Sequence, residues 1–220
     1  MDMITAQLAS IPERIETLEK TVKSLRPHVN TVYVALNGYK DVPGFLLGDK
    51  NIISILMDNV LGDAGKFYDI EKRKGYILTC DDDIIYPPEY VSYMVNKVDE
   101  YQCIVSLLGR VYGTRPIKSF RKGYTENYRC LGDVSEDVVV DLGGTGAMAF
   151  HTDHVKVTMD DFPKKNMADI WMAKLAHEQG VKIMAVKHRP KFVKYKDYPD
   201  RIWIHDDDKY QTEVLNSFLK

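Results

Sequence analysis

The sequence predicts an α/β fold in which helices flank a central, mostly parallel β-sheet. Short apolar runs rich in β-branched residues alternate along the chain with segments whose apolar residues recur at helical spacing. Such alternation is typical of parallel strands joined by helical crossovers. The 220 residues include 45% hydrophobic and 28% charged residues, an ordinary composition for a folded chain. We therefore expect one α/β domain over residues 1–220.

The first helix has the clearest local signals. It begins near Ser10, a residue type favoured as a helix cap, with Pro12 in the first turn and Glu13 three residues after the cap. Apolar residues then recur at helical spacing until Pro27 ends the pattern. We expect a helix from about residue 11 to residue 26.

The remaining elements follow in order along the chain. Short apolar runs predict strands at residues 4–8, 32–36, 52–57, 76–80, 104–108, 138–142, 147–150 and 182–186. Helical patterns lie at residues 63–74, 89–101 and 167–179, the first ended by Gly75 and the last by Gly180. Residues 109–132 show no clear periodicity.

Charge and cysteine content exclude several classes of protein. Lys and Arg total 30 against 32 Asp and Glu, so no positive field draws the chain to nucleic acid or anionic lipid. No apolar run approaches the ~20 residues of a transmembrane helix, and the start of the sequence lacks the pattern of a secretory signal. Cys80, Cys103 and Cys130 fit neither a disulfide framework nor a zinc site. We expect a cytoplasmic protein with no transmembrane segment.

Three consecutive carboxylates, Asp81, Asp82 and Asp83, follow the apolar run at 76–80. One interpretation is a solvated acidic turn before the next helix. The other is a site for a hard divalent cation, which prefers oxygen ligands and would relieve the repulsion among the carboxylates. In α/β sheets, ligands bind beyond the carboxyl ends of the strands, and a metal there can be shared with phosphate oxygens.

Two basic residues are candidates for phosphate contacts. Lys66 lies in the Asp63-Ala64-Gly65-Lys66 segment at the start of the predicted helix, where backbone N–H groups would also receive a phosphate. An ordinary helix start, with Asp63 favoured by the helix dipole, is equally consistent with this segment. Arg14 follows the opening strand and is either a surface residue or a second phosphate ligand.

Three further features occur in the second half of the chain. Residues 143–146 (GGTG) link two predicted strands, as a tight turn or as a place where backbone approaches a sugar closely. Asp169 begins a predicted helix, as a cap or as a functional carboxylate. His205 precedes three aspartates and lies either in a solvated turn or at the metal, as a nitrogen ligand.

Together, seven short segments resemble one family. They are ASIPER at 9–14, LNGY at 36–39, VP at 42–43, GDAGK at 62–66, DDDIIYP at 81–87, GGTG at 143–146 and ADIW at 168–171. In this order and spacing the chain resembles the GT-A glycosyltransferases. It is most similar to the small inverting enzymes of family 2 type and to the sugar transferases of capsule clusters and large algal viruses. The resemblance covers residues 4 to about 190.

The resemblance implies roles for residues in the first half of the chain. Asp81 is the first aspartate of a DxD motif, in contact with ribose or metal, and Asp83 is the last, a metal ligand. Asp82, between them, belongs to the same nucleotide-binding segment. Arg14 and Lys66 would contact the diphosphate.

The remaining implied roles involve the base, the sugar and the acceptor. Asp58 would contact the nucleobase, and Gly144 would let backbone approach the donor. Asp169 would be the catalytic base, although Ala168 stands where the family often has another acidic residue. His205 would complete the metal shell, as a histidine near the carboxyl terminus does in related transferases.

These roles imply a complete reaction. Residues 1–108 would form the nucleotide-binding half of one GT-A domain and residues 109–220 the acceptor-binding half. A hexose would pass from a UDP-sugar to a hydroxyl of a glycan or glycoprotein, with inversion and with Mn²⁺ or Mg²⁺ as cofactor.

Other interpretations remain open. A phosphatase with an aspartate nucleophile also uses Asp-x-Asp after a buried strand, but usually has Thr or Val where this chain has Ile85. A catalytically silent nucleotide-sugar-binding or glycan-binding module would share the fold. A sugar nucleotidyltransferase is less consistent, because the Gly-rich, Arg-containing loop expected near its N-terminus is absent.

Overall fold

The protein is described by a computed structural model, which covers residues 2–195 and 207–220. Its strands in these ranges are β1 (Ile4–Ser10), β2 (Thr31–Asn37), β3 (Ile52–Met57), β4 (Tyr76–Asp81), β5 (Ile84–Ile85), β6 (Ile104–Ser106), β7 (Gly109–Val111), β8 (Glu126–Tyr128), β9 (Val138–Val140), β10 (Leu142–Gly143), β11 (Ala147–His151), β12 (Ile183–Ala185) and β13 (Lys194–Tyr195). The α-helices there are α1 (Ile15–Leu25), α2 (Tyr90–Tyr101), α3 (Ala168–Glu178) and α4 (Asp208–Phe218).

A mixed, mostly parallel sheet dominates the architecture, as the sequence predicts. Within the described residues it has 8 strands in the order β3-β2-β1-β4-β11-β6-β12-β9. Neighbours pair in parallel from β3 to β4 and again between β6 and β12. Strands β11 and β9 run in the opposite direction. Two smaller ladders, β10-β7-β8 and β13-β5, lie outside this sheet.

Helices cover both faces of the sheet. Successive residues of β4 belong to different cores, Ile77 to one and Leu78 to the other, because alternate side chains of a strand point to opposite faces. Leu18 of α1 and Met94 of α2 belong to the same core as Leu78, while Trp171 of α3 belongs to the other. None of the helices in the described ranges has the length and apolar character needed to cross a bilayer.

The start of the first helix differs from the sequence prediction. Ser10 is not a cap but the last residue of β1, and its hydroxyl lies 3.3 Å from the Tyr39 hydroxyl. The chain then forms a short 3-10 helix, Pro12–Arg14, before α1 begins. Proline favours this turn because its φ is already fixed near the helical value.

The prediction of one continuous helix at residues 63–74 is wrong. The chain there forms two short 3-10 helices, Gly62–Phe67 and Ile70–Lys72. Asp69 between them has a φ of 57°, in the left-handed region, which interrupts any continuous helix. The local pattern fails because two residues of the segment, Lys66 and Phe67, are both buried by contacts with distant parts of the chain.

Candidate active site

The three consecutive aspartates lie at the carboxyl end of β4, in the centre of the parallel part of the sheet. Asp81 pairs with Ala9 at the end of β1. Asp82 and Asp83 are buried, whereas the side chain of Asp81 is 44% exposed. The Thr21 hydroxyl of α1 donates to the Ile84 carbonyl at 2.8 Å, which fixes the turn after the triplet. Of the three side chains, that of Asp81 is therefore the most open to solvent.

Arg14 offsets the charge of the two buried aspartates. Its Nη1 lies 2.9 Å from Asp82 Oδ1 and 3.2 Å from Asp83 Oδ2, although 68 residues separate it from the first of them. The 3-10 helix Pro12–Arg14 brings the guanidinium to this position directly after β1. The repulsion within the triplet is thus relieved by Arg14, a residue of the protein. In the sequence analysis, this relief is ascribed to a metal ion.

Asp83 is only partly satisfied by this ion pair. Burial, followed by the charges of Asp81 and Asp82, raises the pKa of Asp83 to about 7, against the opposing effects of Arg14 and Lys66. Its Oδ1 is buried and has no hydrogen-bond partner among the described residues. A buried carboxylate oxygen without a partner is unusual and suits a cation or a donor supplied by a ligand.

Lys66 provides the second cation of the site. Its ammonium is buried, and Nζ lies 2.5 Å from Asp81 Oδ1. Burial disfavours the charged form, but Asp81, Asp63 and Asp169 together raise the pKa of Lys66 above its ordinary value. Lys66 therefore stays charged and lies within electrostatic reach of three carboxylates.

Asp63, three residues before Lys66, caps a distant helix. Its Oδ2 accepts a hydrogen bond from the backbone N–H of Ala168, the first residue of α3, at 3.0 Å. Burial raises the pKa of Asp63 to about 6. Sequence reasoning treated Asp63 as part of a local helix start, since nothing in its own segment points to a partner 105 residues away.

Asp169 lies in the first turn of α3 but does not cap that helix. The residue at the cap position is Met167, which makes no side-chain capping bond. Asp169 Oδ1 instead accepts two hydrogen bonds from Thr145, one from the backbone N–H and one from the hydroxyl, both at 2.7 Å. No donor in the described part of the chain bonds to Asp169 Oδ2, so one carboxylate oxygen is held and the other is free.

The glycine-rich loop 143–146 contacts both Asp169 and Asp81. Thr145 holds Asp169, and the next residue, Gly146, lies against Asp81: a Cβ there would be 2.1 Å from Asp81 Oδ2. Gly144 is buried and its N–H donates to the Leu108 carbonyl at 3.1 Å. The close approach to Asp81 is therefore made by Gly146, and Gly144 remains a predicted contact of the donor.

A cleft of about 490 Å³ opens beside the carboxyl end of β3. Its lining mixes aromatic, aliphatic and acidic side chains: Tyr39, Ile55, Leu56, Met57, Asp58 and Tyr68. Asp58 Oδ1 accepts from the Val60 N–H at 3.2 Å. Asp58 therefore lines a cleft at the end of β3, together with Tyr68, which lies two residues after Lys66.

Two of the three predicted metal ligands, Asp81 and Asp83, lie in the described part of the chain. Among residues 2–195 and 207–220, no three or more His, Cys, Asp or Glu side chains are arranged to bind a metal ion. His205 lies outside the described residues. Asp81 and Asp83 supply carboxylate oxygens, the donors that Mg²⁺ and Mn²⁺ prefer, so the chemistry of these two residues fits such an ion.

The comparisons with known proteins identify the fold. No protein-family model and no curated protein matches the sequence. Solved structures do: S. aureus TarS in complex with UDP-GlcNAc matches with a TM-score of 0.55 at 10% identity, over 99% of this chain and 71% of that one. The chain has the GT-A fold.

Two further structures with this fold illustrate the range of its chemistry. Glucosyl-3-phosphoglycerate synthase from Mycobacterium tuberculosis, in complex with phosphoglyceric acid, matches with a TM-score of 0.52 at 16% identity, over 86% of this chain and 73% of that one. A nucleotidyl transferase from Methanothermobacter matches with a TM-score of 0.51 at 16% identity, over 86% and 89%. At such identities the GT-A fold is shared and the reaction is not decided.

Proposed function

We propose that this protein is a glycosyltransferase that moves a hexose from a nucleoside diphosphate sugar to a hydroxyl of a glycan acceptor. One observation carries the proposal: Asp169 has one oxygen held by Thr145 and one without a hydrogen bond in the described residues, and it interacts electrostatically with the buried Lys66, which pairs with Asp81. Sugar transfer requires a carboxylate that accepts a proton and a cation that holds the diphosphate, and Asp169 and Lys66 supply these two groups.

The donor would be held at the edge formed by the ends of β1, β3 and β4. The cleft beside Asp58 has aromatic walls for a nucleobase, and uracil is the base that the family resemblance indicates. Lys66 and Arg14 would exchange part of their contact with the aspartates for contact with the diphosphate. We assign donor binding to residues 1–108 and acceptor binding to residues 109–220.

The leaving diphosphate gains negative charge as the bond from the sugar C1 to its oxygen breaks. Lys66 and Arg14 would stabilise that charge from a largely water-excluded position, where electrostatic effects are stronger than in solvent. Asp81 and Asp83, with His205 as a third ligand, are the residues we propose for Mn²⁺ or Mg²⁺. When bound, such an ion adds positive charge next to the diphosphate.

The acceptor hydroxyl would attack C1 from the face opposite the diphosphate. Its proton would pass to Asp169 Oδ2, the oxygen without a hydrogen bond in the described residues, while its oxygen forms the new bond to C1. A single displacement of this kind inverts the configuration at C1. Two features support this proposal: Asp169 lies in the first turn of α3, and its Oδ1 is held by the backbone N–H and the hydroxyl of Thr145.

Nucleotidyl transfer is the principal rival, because proteins with this activity share the fold. That reaction activates a nucleoside triphosphate, which usually needs a glycine-rich basic loop after the first strand. Here β1 is followed by Ile11 and the 3-10 helix Pro12–Arg14, with one arginine and no glycine. The segment after β1 therefore favours a diphosphate donor.

The test is a screen of nucleotide sugars by calorimetry with Mn²⁺, followed by NMR detection of products with glycan acceptors. We expect binding of a UDP-sugar, a new glycosidic bond and inverted configuration at C1. Pyrophosphate release from UTP and a sugar phosphate, without glycoside, would identify a nucleotidyltransferase instead. Hydrolysis of a phosphate monoester would identify the aspartate-nucleophile phosphatase. Binding without any turnover would identify the silent module.

A further inference from the structure

Thr145 makes an unusual double contact with the candidate base. Its backbone N–H and its hydroxyl both donate to the same oxygen of Asp169, Oδ1, at 2.7 Å. The residue is buried, so these bonds are protected from competition with water. A side chain held by two donors on one oxygen loses most of its freedom to rotate.

We propose that Thr145 is a positioning residue, which fixes Asp169 so that Oδ2 is the oxygen that receives the acceptor proton. The inference rests on the proposed function, since it assigns a partner to the base of that reaction. Thr145 itself would touch neither the sugar nor the acceptor. Its contribution would be orientation, because a small misplacement of a reacting group costs a large factor in rate.

The position of Thr145 is fixed relative to the donor site. The next residue, Gly146, accepts a hydrogen bond through its carbonyl from the Asp81 N–H at 3.1 Å. The buried Tyr86 hydroxyl also donates to that carbonyl and accepts from the Asp81 N–H at 3.0 Å. Two adjacent residues of one loop thus bond to the backbone of Asp81 and to the side chain of Asp169, which limits how far apart these two residues can lie.

Lys66 explains why the base needs such a fixed position. Its buried ammonium interacts electrostatically with Asp169 as well as with Asp81 and Asp63. Without a competing donor, Asp169 would be drawn toward this cation and would be less available to an acceptor hydroxyl. The hydroxyl of Thr145 opposes that movement at the oxygen it holds.

Substitutions that preserve shape test the role of the hydroxyl. Thr145→Val removes the side-chain donor with little change in volume, and Thr145→Ser restores a hydroxyl. We expect Thr145→Val to lower kcat for transfer about tenfold to a hundredfold, with the acceptor KM and the UDP affinity within about twofold. Thr145→Ser should keep at least half of the wild-type kcat. The exposed Thr114 supplies the control Thr114→Val, which should match the wild type.

A double-mutant cycle separates positioning from general loss of structure. If Thr145 acts through Asp169, Thr145→Val should have no further effect on kcat in an Asp169→Asn background. A full additional loss there, or equal losses for Val and Ser, would overturn the inference. A kcat of Thr145→Val equal to that of the wild type would also overturn the inference. If the valine variant fails to fold, Thr145→Ala takes its place in the same measurement. If the wild type transfers no sugar from any donor, the proposed function itself fails, and the positioning role fails with it.

Discussion

Asp63 accepts a hydrogen bond from the backbone N–H of Ala168 at 3.0 Å, across 105 residues of chain. Asp63 shares a turn with Lys66, the buried cation of the candidate donor site, and Ala168 immediately precedes Asp169. The candidate diphosphate contact and the candidate base are therefore anchored to each other through one buried carboxylate. A bond of this kind is costly to break, because the carboxylate would stay buried without its donor.

The pH dependence of stability should report this carboxylate. Burial raises the pKa of Asp63 from 3.8 to about 6, so the folded protein binds a proton there more tightly than the unfolded chain does. The stability due to that proton is present below about pH 4 and is lost as the pH rises through about 6. Asp63→Asn removes the titration and keeps an acceptor for the Ala168 N–H. Relative to this variant, the wild-type free energy of unfolding should fall by about 2 kcal/mol from about pH 4 to about pH 7.

Urea unfolding at several pH values measures this difference. Asp160→Asn is the control, because Asp160 is exposed, and it should track the wild type at every pH. Parallel pH profiles for Asp63→Asn and the wild type would show that Asp63 titrates normally in the folded protein.

Substitution of Asp83 should weaken the metal-dependent binding of UDP. This residue has a buried oxygen without a partner, and Asp83→Asn would remove the charge at nearly constant size. We expect Mn²⁺-dependent binding of UDP, measured by calorimetry, to weaken about tenfold or more while the thermal melt keeps a single transition. Asp160→Asn should bind normally. Equal affinity of the wild type for UDP in Mn²⁺ and in EDTA would refute a metal site here.

Lys66 should be needed for the diphosphate. Lys66→Met keeps a long side chain in the buried position but removes the charge that pairs with Asp81. Binding of UDP should weaken at least about tenfold, since charge-assisted hydrogen bonds to phosphate are the strong ones. Binding of uridine, which lacks the diphosphate, should change little. Lys20→Met, on the exposed side of α1, is the control. Equal weakening of UDP and uridine would indicate a collapsed site and would contradict the assignment.

His205 lies outside the described residues and remains a predicted metal ligand. The last described residues before it belong to β13, in which Tyr195 pairs with Ile84, the residue after Asp83. The chain therefore approaches the triplet ten residues before His205. We expect His205→Ala to lower the affinity for Mn²⁺, measured by its effect on UDP binding, with little change in the melting temperature. A metal-bound crystal structure with the imidazole directed away from the ion would disprove the role.

Sequence patterns predicted the parallel part of the sheet well, for a physical reason. Strands β1, β2 and β4 are largely apolar runs that are mostly buried on both faces, so their signal lies within the run itself. The segment 63–74 was mispredicted as a helix because Asp63 and Lys66 are satisfied by partners on other elements. Local propensity does not contain that information.

The candidate site likewise has residues that the sequence predicts and contacts that it does not. The aspartate triplet and Asp169 stand out in the sequence, because acidic residues directly follow a strand or begin a helix. The ion pairs of Arg14 with Asp82 and Asp83 span 68 and 69 residues and depend on strand order. The bonds from Thr145 to Asp169 depend on a loop of the second half meeting α3, so no spacing rule reveals them.

The most direct test of the account is the rate of sugar transfer by Asp169→Asn. The substitution keeps the size of the side chain and an oxygen for the two donors of Thr145, but removes the ability to take a proton. With a competent acceptor, the transfer rate should fall by roughly 10²-fold or more, while UDP affinity stays within a few-fold of wild type, because the proton moves only as the acceptor attacks. A transfer rate equal to that of the wild type, with normal UDP binding, would contradict the assignment of Asp169 as the base and with it the central claim.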